Sequence, residues 1–269
     1  MDANSGDNDA ASVPPTSGAV PEIDEDAVKA IAWMLSRHTL PLALKLDSGD
    51  LPWERVERAT LTLIWTGYRH VFVTCYHVLN RLLELRKRNP SAEMVAYTGS
   101  GNGLMELTGF RLIDADQRSL DVALFGGLED RVSLPGLQFI DYHSSYLADP
   151  VPGDFASIVG YPGANINVTT SKASFGYMHL GLPVSCASDK RIVLADEHGT
   201  RDFRHYENPT CRGIPLGGLS GSPAFVYRNG QPRFVGVVTD SSDRDQTIFV
   251  SRLGCINADG TLNRNLIPR

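Results

Sequence analysis

The amino-acid sequence predicts an all-β fold, built as barrels or a sandwich and preceded by one helix. Many short runs rich in β-branched and aromatic residues follow one another, and Gly, Pro, Asn or Asp punctuates most of them. Few segments carry a helical pattern of apolar residues. Many short strands with few helices are typical of antiparallel barrels and sandwiches.

The predicted helix follows Asp24, in the segment DEDAVKAIAWMLSRH. Val28, Ile31, Ala32 and Leu35 recur at helical spacing, and acidic residues crowd the first turn, where they favour a helix N-terminus. We expect this helix to pack on the main domain through that apolar stripe.

From residue 58 onward the sequence reads as strands. ATLTLIW and HVFVTCYHV are separated by the turn-like TGYR and predict a hairpin, and NRLLELRKRNP then predicts a short helix or helical loop. Further strands are predicted at MVAYTG, GFRLIDA, DVALF, FASIVGYP, RIVLAD, PAFVYRN, FVGVVTD and TIFVSRL. The stretch ADPVPGD, residues 148 to 154, holds two prolines and could link two β subdomains.

These patterns divide the chain into three parts. Residues 1–22 combine Asp, Asn, Ser, Gly and Pro and predict a disordered acidic tail, because they offer too little apolar surface to offset the entropy of ordering. Residues 23–147 hold the predicted helix and the first β subdomain, and residues 148–269 hold the second subdomain with the C-terminal segment.

Charge and hydropathy exclude some classes of function. The formal net charge of −6 argues against a nucleic-acid or anionic-membrane binder, and no apolar run is long enough for a transmembrane helix. The acidic N-terminus is unlike a secretory signal, so we expect a cytoplasmic protein, although a mature fragment stripped of its signal would look the same.

The cysteines are Cys75, Cys186, Cys211 and Cys255. None has the CxxC spacing of a zinc site. Their even number permits two disulfides, whereas a reducing compartment favours free thiols, which is the expectation here.

Ser220 lies in GGLSGSPAFV, between glycines and ahead of a strand-like run. Glycines allow a tight turn that directs backbone N–H groups at one point, which a reactive serine needs. A serine hydroxyl is a weak nucleophile unless a neighbouring base accepts its proton.

His77 and Asp121 are the candidate base and its orienting carboxylate. His77 follows the strand VFVTCY, from whose end an imidazole can project into a cleft, and Asp121 opens the apolar run DVALF. Taken singly, His77 would be a core histidine, Asp121 a strand cap and Ser220 a turn residue.

Three motifs together resemble those of trypsin-like serine proteases. VTCYHV is similar to the histidine motif, SLDVAL to the aspartate motif and GLSGSP to the serine motif, in the order of the chymotrypsin group. The resemblance spans about residues 55 to 255 and is greatest to bacterial trypsin-like and HtrA-type domains. An α/β-hydrolase elbow would need glycine at position 222, where Ser222 stands.

The resemblance implies two six-stranded antiparallel β-barrels with His77, Asp121 and Ser220 as the catalytic triad in the cleft between them. It implies an oxyanion hole formed by the N–H groups of Gly218 and Ser220, and no metal or cofactor. The residues that it implies for substrate binding are Ile214 at the floor of the primary pocket and Thr239, Asp240 and Ser241 on the strand that pairs with substrate.

Two further expectations follow from the resemblance. The Thr239 hydroxyl is placed to support Asp121, and Leu219 replaces the aspartate with which digestive relatives bind a new N-terminal ammonium after zymogen cleavage. The substrate is expected to be a protein or peptide. The alternatives are a protease fold kept as a binding or regulatory module, and a protease that is latent until a regulatory partner protein rearranges its cleft.

Overall fold

The structure is a computed structural model, and it describes most of the chain. The described residues are 25–45, 58–100, 103–127, 137–147, 149–163, 166–168, 173–195, 216–242 and 247–267. The predicted acidic tail, residues 1–22, lies outside them.

Strands greatly outnumber helices among the described elements. In chain order they are α1 (Glu25–Ser36), β1 (Thr39–Lys45), β2 (Arg58–Trp65), β3 (His70–Cys75), α2 (Tyr76–Arg88), β4 (Glu93–Ser100), β5 (Gly103–Leu107), β6 (Arg111–Asp116), β7 (Val122–Gly126), β8 (Ile140–Asp141), α3 (Tyr142–Ser145), β9 (Phe155–Gly160), β10 (Ile166–Val168), β11 (Ala173–Phe175), β12 (Met178–Ala187), β13 (Arg191–Ala195), β14 (Pro223–Arg228), β15 (Gln231–Ser242) and β16 (Thr247–Arg252). None of the described helices is long and apolar enough to cross a membrane.

The N-terminal half forms one antiparallel sheet in the order β5-β4-β1-β2-β3-β7-β6, with the short β8 added in parallel to β2. The predicted hairpin is confirmed, since β2 and β3 pair antiparallel with Trp65 opposite His70. The next pair sets up the site: β3 and β7 are antiparallel neighbours with Cys75 opposite Val122. Residues that follow Cys75 therefore meet residues that precede Val122.

The C-terminal half forms a closed barrel of six antiparallel strands, β12-β13-β16-β15-β14-β9, and β10 pairs with β11 in a separate ribbon. The predicted all-β class with two antiparallel β units and an N-terminal helix is confirmed. The first unit has eight strands and the second has the six that the resemblance implies. The division of the chain at residue 148 stays a prediction.

A shared apolar core joins the two halves. Val73 and Leu124 of the N-terminal sheet belong to the same buried cluster as Val159 and Phe234 of the barrel. Leu35 of α1 is fully buried in this cluster, as the helical stripe predicts. Burying a side chain of this size contributes about 2 kcal/mol, so this cluster stabilises the junction that carries the site.

Helix α2 begins earlier than the sequence predicts, directly after β3 at Tyr76. Its buried face consists of Val78, Leu79 and Leu82. Burial of this face explains why the helix begins before the charged segment from which it is predicted. His77 consequently lies in the first turn of a helix and not at the end of a strand.

Candidate active site

The structure brings His77, Asp121 and Ser220 together at the junction of the two halves. His77 Nδ1 lies 2.8 Å from Asp121 Oδ2, and His77 Nε2 lies 3.1 Å from Ser220 Oγ. A carboxylate has only acceptors, so Nδ1 carries the proton and Nε2 of the neutral ring is left as the acceptor for the serine hydroxyl. This is the arrangement in which a histidine can take a proton from a serine.

The β3–β7 pairing and the start of α2 position the first two side chains. Asp121 Oδ1 accepts the backbone N–H of His77 at 3.0 Å, and the Asp121 carbonyl accepts the N–H of Tyr76 at 3.0 Å. The His77 side chain is 50% exposed and that of Asp121 28%. The ring is therefore reachable from solvent while the carboxylate is held behind it.

Asp121 has a left-handed backbone, with φ of 52°. This conformation costs an ordinary residue about 1 kcal/mol or more, and aspartate and asparagine tolerate it best among non-glycine residues. The hydrogen bonds of both its carboxylate oxygens and its carbonyl hold it there. A strained residue fixed by many contacts is a frequent feature of functional sites.

The Ser220 loop is anchored in the N-terminal sheet as well as in the barrel. The Thr60 N–H donates to the Ser220 carbonyl at 2.9 Å, and the Thr62 hydroxyl donates to the Gly221 carbonyl at 2.6 Å. Gly221 has φ of +89°, and a Cβ there would lie 2.1 Å from the Thr60 carbonyl oxygen. Only glycine fits so close to the neighbouring strand.

The predicted oxyanion donors are Gly218 and Ser220. Among the described residues neither N–H has a hydrogen-bond acceptor, whereas the N–H groups of Leu219 and Ser222 donate within the loop. Gly218 has φ of +98°, and a Cβ on it would stand 2.7 Å from the Tyr161 carbonyl oxygen. The two N–H groups are thus available to an incoming oxygen, and their role in an oxyanion hole stays a prediction.

Thr239 does not support Asp121, contrary to expectation. Its hydroxyl lies 3.3 Å from Ser251 Oγ and 3.5 Å from the Phe249 carbonyl oxygen. The reason is a β-bulge: Val238 and Asp240 pair with successive residues of β16, so Thr239 is the extra residue and turns its side chain toward β16.

Cys75 lies beside Asp121, and sequence reasoning gave it no role in the site. Ligand atoms of Cys75, His77 and Asp121 all lie within 4.8 Å of one another. Burial raises the pKa of the Cys75 thiol well above its usual value, the Asp121 charge raises it further, and a hydrogen bond with the Ser220 side chain lowers it. The thiol is 3.1 Å from the Val238 carbonyl oxygen, to which it donates. In this arrangement each of the three side chains already has a partner, since Nδ1 and Oδ2 are bonded to each other and the Cys75 thiol donates to a carbonyl.

The predicted substrate strand is only partly paired. Among the described strands, β14 pairs with β15 only up to Val237, whereas β16 pairs with β15 as far as Ser242, so Thr239, Asp240 and Ser241 have no described strand partner on the β14 side. Asp240 is exposed there and accepts the Ser241 N–H at 2.8 Å. Ile214, the predicted floor of the primary pocket, lies outside the described residues.

The three cysteines that the structure describes are free thiols. Cys75 and Cys255 are buried and Cys186 is exposed. Cys211 lies outside the described residues. The expectation of thiols at all four positions therefore agrees with the structure at three of them.

Two kinds of comparison find nothing, and a third finds proteases. No family model matches the chain, and no curated protein matches it. Among solved structures, the chain is similar to tobacco vein mottling virus protease, at 10% identity over 82% of this chain and 79% of that one, with a TM-score of 0.44. It is similar to the thermostable serine protease AL20 from an extremophilic microorganism, at 13% identity over 81% and 91% of the two chains, with a TM-score of 0.46.

A further similar structure is Deg5, at 12% identity over 84% of this chain and 90% of that one, with a TM-score of 0.48. At such identities and TM-scores the similarity gives no information on the chemistry of this chain.

Proposed function

We propose that the protein is a serine endopeptidase in which Ser220 is the nucleophile, His77 the general base and Asp121 the group that orients His77. The observation that carries the proposal is the unbroken series of hydrogen bonds from Asp121 Oδ2 through the His77 ring to Ser220 Oγ, at 2.8 and 3.1 Å. Both distances are within the range needed for proton transfer.

In this mechanism Ser220 Oγ attacks the carbonyl carbon of a peptide bond while its proton passes to His77 Nε2. Asp121 keeps the ring in the tautomer that accepts at Nε2 and stabilises the imidazolium that forms. His77 then gives the proton to the leaving amine, and water hydrolyses the acyl-enzyme by the same route in reverse. The N–H groups of Gly218 and Ser220 are proposed to bind the oxyanion.

A serine nucleophile is favoured over a cysteine nucleophile at Cys75. The Cys75 side chain is fully buried, and burial raises the pKa of its thiol, whereas a cysteine nucleophile must be a thiolate that substrate can reach. Ser220 is partly exposed, and its hydroxyl is within hydrogen-bond distance of His77 Nε2, the ring nitrogen that faces away from Asp121. The geometry thus supports Ser220 as the attacking atom and Cys75 as a packed neighbour.

The substrate is proposed to be an extended segment of a protein or peptide. Thr239, Asp240 and Ser241 have no partner in β14, the described strand on that side of β15, and this supports the proposal, because an extended peptide can add to a strand edge by main-chain hydrogen bonds. The apolar side chain of Ile214 favours a small or apolar residue before the scissile bond.

A fluorophosphonate probe tests the proposal, since it reacts with activated serines. We expect labelling at Ser220, located by mass spectrometry, and loss of labelling and of library-peptide cleavage in Ser220→Ala and His77→Ala. The matched control is Ser222→Ala: this serine is fully buried two residues away, its hydroxyl has no partner among the described residues, and its removal should leave labelling intact. Absence of labelling in the parent protein under several conditions would favour the binding module instead.

A further inference from the structure

The C-terminal segment returns from the barrel to the N-terminal sheet. We call residues 253–267 the C-terminal strap. Its Ala258 carbonyl accepts the Thr66 hydroxyl at 2.5 Å, and its Leu262 is buried in the cluster that also holds Leu120 and Val122. The strap therefore shares an apolar core with the residues on either side of Asp121, and its Leu262 N–H donates to Asp114 Oδ2 of β6 at 2.9 Å.

Arg264 of the strap lies between two aspartates of β6. Its guanidinium bonds to Asp114, donates to the Ala115 carbonyl at 3.1 Å and lies 3.5 Å from Asp116 Oδ2. The side chains of Asp114 and Asp116 are only 20% and 15% exposed. The half-exposed Arg264 guanidinium is thus a cation within reach of both of these shielded carboxylates.

Asp116 uses its other oxygen to close a turn. Oδ1 accepts the N–H of Ser119 at 2.7 Å and the N–H of Leu120 at 2.8 Å. Leu120 is then buried, which fixes the end of the turn. The residue after it is Asp121, which holds its left-handed conformation and both of its bonds to His77.

These contacts form one continuous path from the strap to the candidate base. Arg264 pairs with Asp116, and Asp116 accepts the N–H groups of the turn. The turn leads directly into Asp121, whose strained φ requires such restraint by its neighbours. We infer that Asp116 and Arg264 are positioning residues for Asp121, so that the C-terminal strap is part of the support of the active site. The kinetic consequences of this inference depend on the proposed endopeptidase function.

The kinetic test uses full-length variants. Arg264→Ala should lower kcat about 10-fold or more with little change in KM, because small displacements of a catalytic group cost rate more than binding. Arg264→Lys should recover part of the loss. The matched control is Arg228→Ala, which removes an ion pair of comparable exposure between Arg228 and Asp154, on barrel elements that do not carry Asp121. This control should keep the parental kcat.

The pH profile separates positioning from simple loss of charge. Removing the positive Arg264 would by itself stabilise the His77 imidazolium and move the acid limb of kcat/KM to higher pH. Displacing Asp121 destabilises the imidazolium and moves that limb to lower pH. We expect the shift to lower pH in Arg264→Ala. An unchanged kcat, or an acid limb that moves only to higher pH, would overturn the inference.

Two measurements keep the test independent of folding defects and of turnover. Asp116→Asn keeps an acceptor oxygen for the turn and should lose less activity than Asp116→Ala, whereas a role limited to ion-pair stability predicts equal losses. In Ser220→Ala, the low-field proton NMR signal of the Nδ1–H bonded to Asp121 should be present, and adding Arg264→Ala should broaden or abolish it. If the parent protein has no turnover, the proposed function fails, but the NMR signal still tests the positioning role. A signal that Arg264→Ala leaves unchanged refutes that role.

Discussion

The side chain of Leu219 packs on Gly160 so closely that a Cβ at Gly160 would lie 3.0 Å from Leu219 Cδ2. Leu219 is fully buried, and it shares the barrel core with Ile158 and Ala224. The residue before Ser220 is therefore fixed by apolar packing inside the barrel. Because a leucine cannot bind an N-terminal ammonium, we expect the Ser220 loop to be set without N-terminal processing.

Leu219→Ala should impair both stability and turnover. Removing a buried leucine side chain costs about 2 to 5 kcal/mol of unfolding free energy, and the freed loop should reduce the rate of fluorophosphonate labelling. Leu219→Met, which nearly conserves volume, should cost less than about 1.5 kcal/mol and keep labelling. Denaturant unfolding and labelling kinetics measure the two effects.

The same packing predicts that deletion of residues 1–22 leaves kcat/KM close to that of the full-length chain. The idea fails if full-length protein is inert while a form cleaved at a defined new N-terminus is active. It fails as well if Leu219→Ala labels as fast as the parent protein.

Ser220→Ala and His77→Ala should have losses that do not add. Each should lower kcat by roughly a million-fold, since the two side chains act as a unit, and the double variant should be no slower than either single one. Folding should be preserved, because Ser220 leaves little buried volume behind. Additive losses on a peptide substrate would show that the two residues act separately.

Cys75→Ala tests the identity of the nucleophile. We expect the variant to keep fluorophosphonate labelling at Ser220, and iodoacetamide to leave the parental turnover unchanged, because the buried thiol stays protonated. Cys186 is exposed and provides the internal control that the reagent is active. Loss of activity on alkylation of Cys75 would instead indicate a cysteine protease.

The triad residues are easier to predict from sequence than the residues that position them, because each triad residue stands in a short local motif. The glycines around Ser220 and the apolar runs beside His77 and Asp121 each indicate a position within a few residues, and the β3–β7 register then brings the last two together. Arg264 is 143 residues or more from His77 and Asp121 in sequence, so its contact with Asp116 depends on the path of the strap and has no local pattern.

Two strands have no clear sequence pattern because proline or glycine interrupts them. In β1, Pro41 stands in a run that is buried on both faces, and it is tolerated because β4 pairs with β1 only from Leu42 onward. In β12, Gly181 and Pro183 mask an alternation of buried and half-buried residues. Proline and glycine within a run indicate a turn when only the sequence is considered, and the strand becomes evident only from its pairing with neighbouring strands.

His179 of β12 is a mostly buried histidine outside the candidate site. Its Nε2 lies 3.0 Å from Ser157 Oγ on the neighbouring β9, and burial lowers the pKa of His179 from 6.5 to about 4. Burial lowers the pKa of His38 as well. Both rings are therefore held neutral in the folded state at pH values where they are protonated in the unfolded chain.

This difference predicts a loss of stability in mild acid. Between about pH 6.5 and pH 4 the unfolded state binds one more proton at His179 than the folded state does, so the unfolding free energy falls as the pH falls through this window. The contribution of His179 is at most about 3 kcal/mol. His179→Gln can still hydrogen-bond Ser157 but does not titrate, so its unfolding free energy, measured in urea at several pH values, should decline less than that of the parent between pH 7 and pH 4. Because His38 is present in both proteins, the difference isolates His179, and parallel declines would show that His179 is not the titrating group.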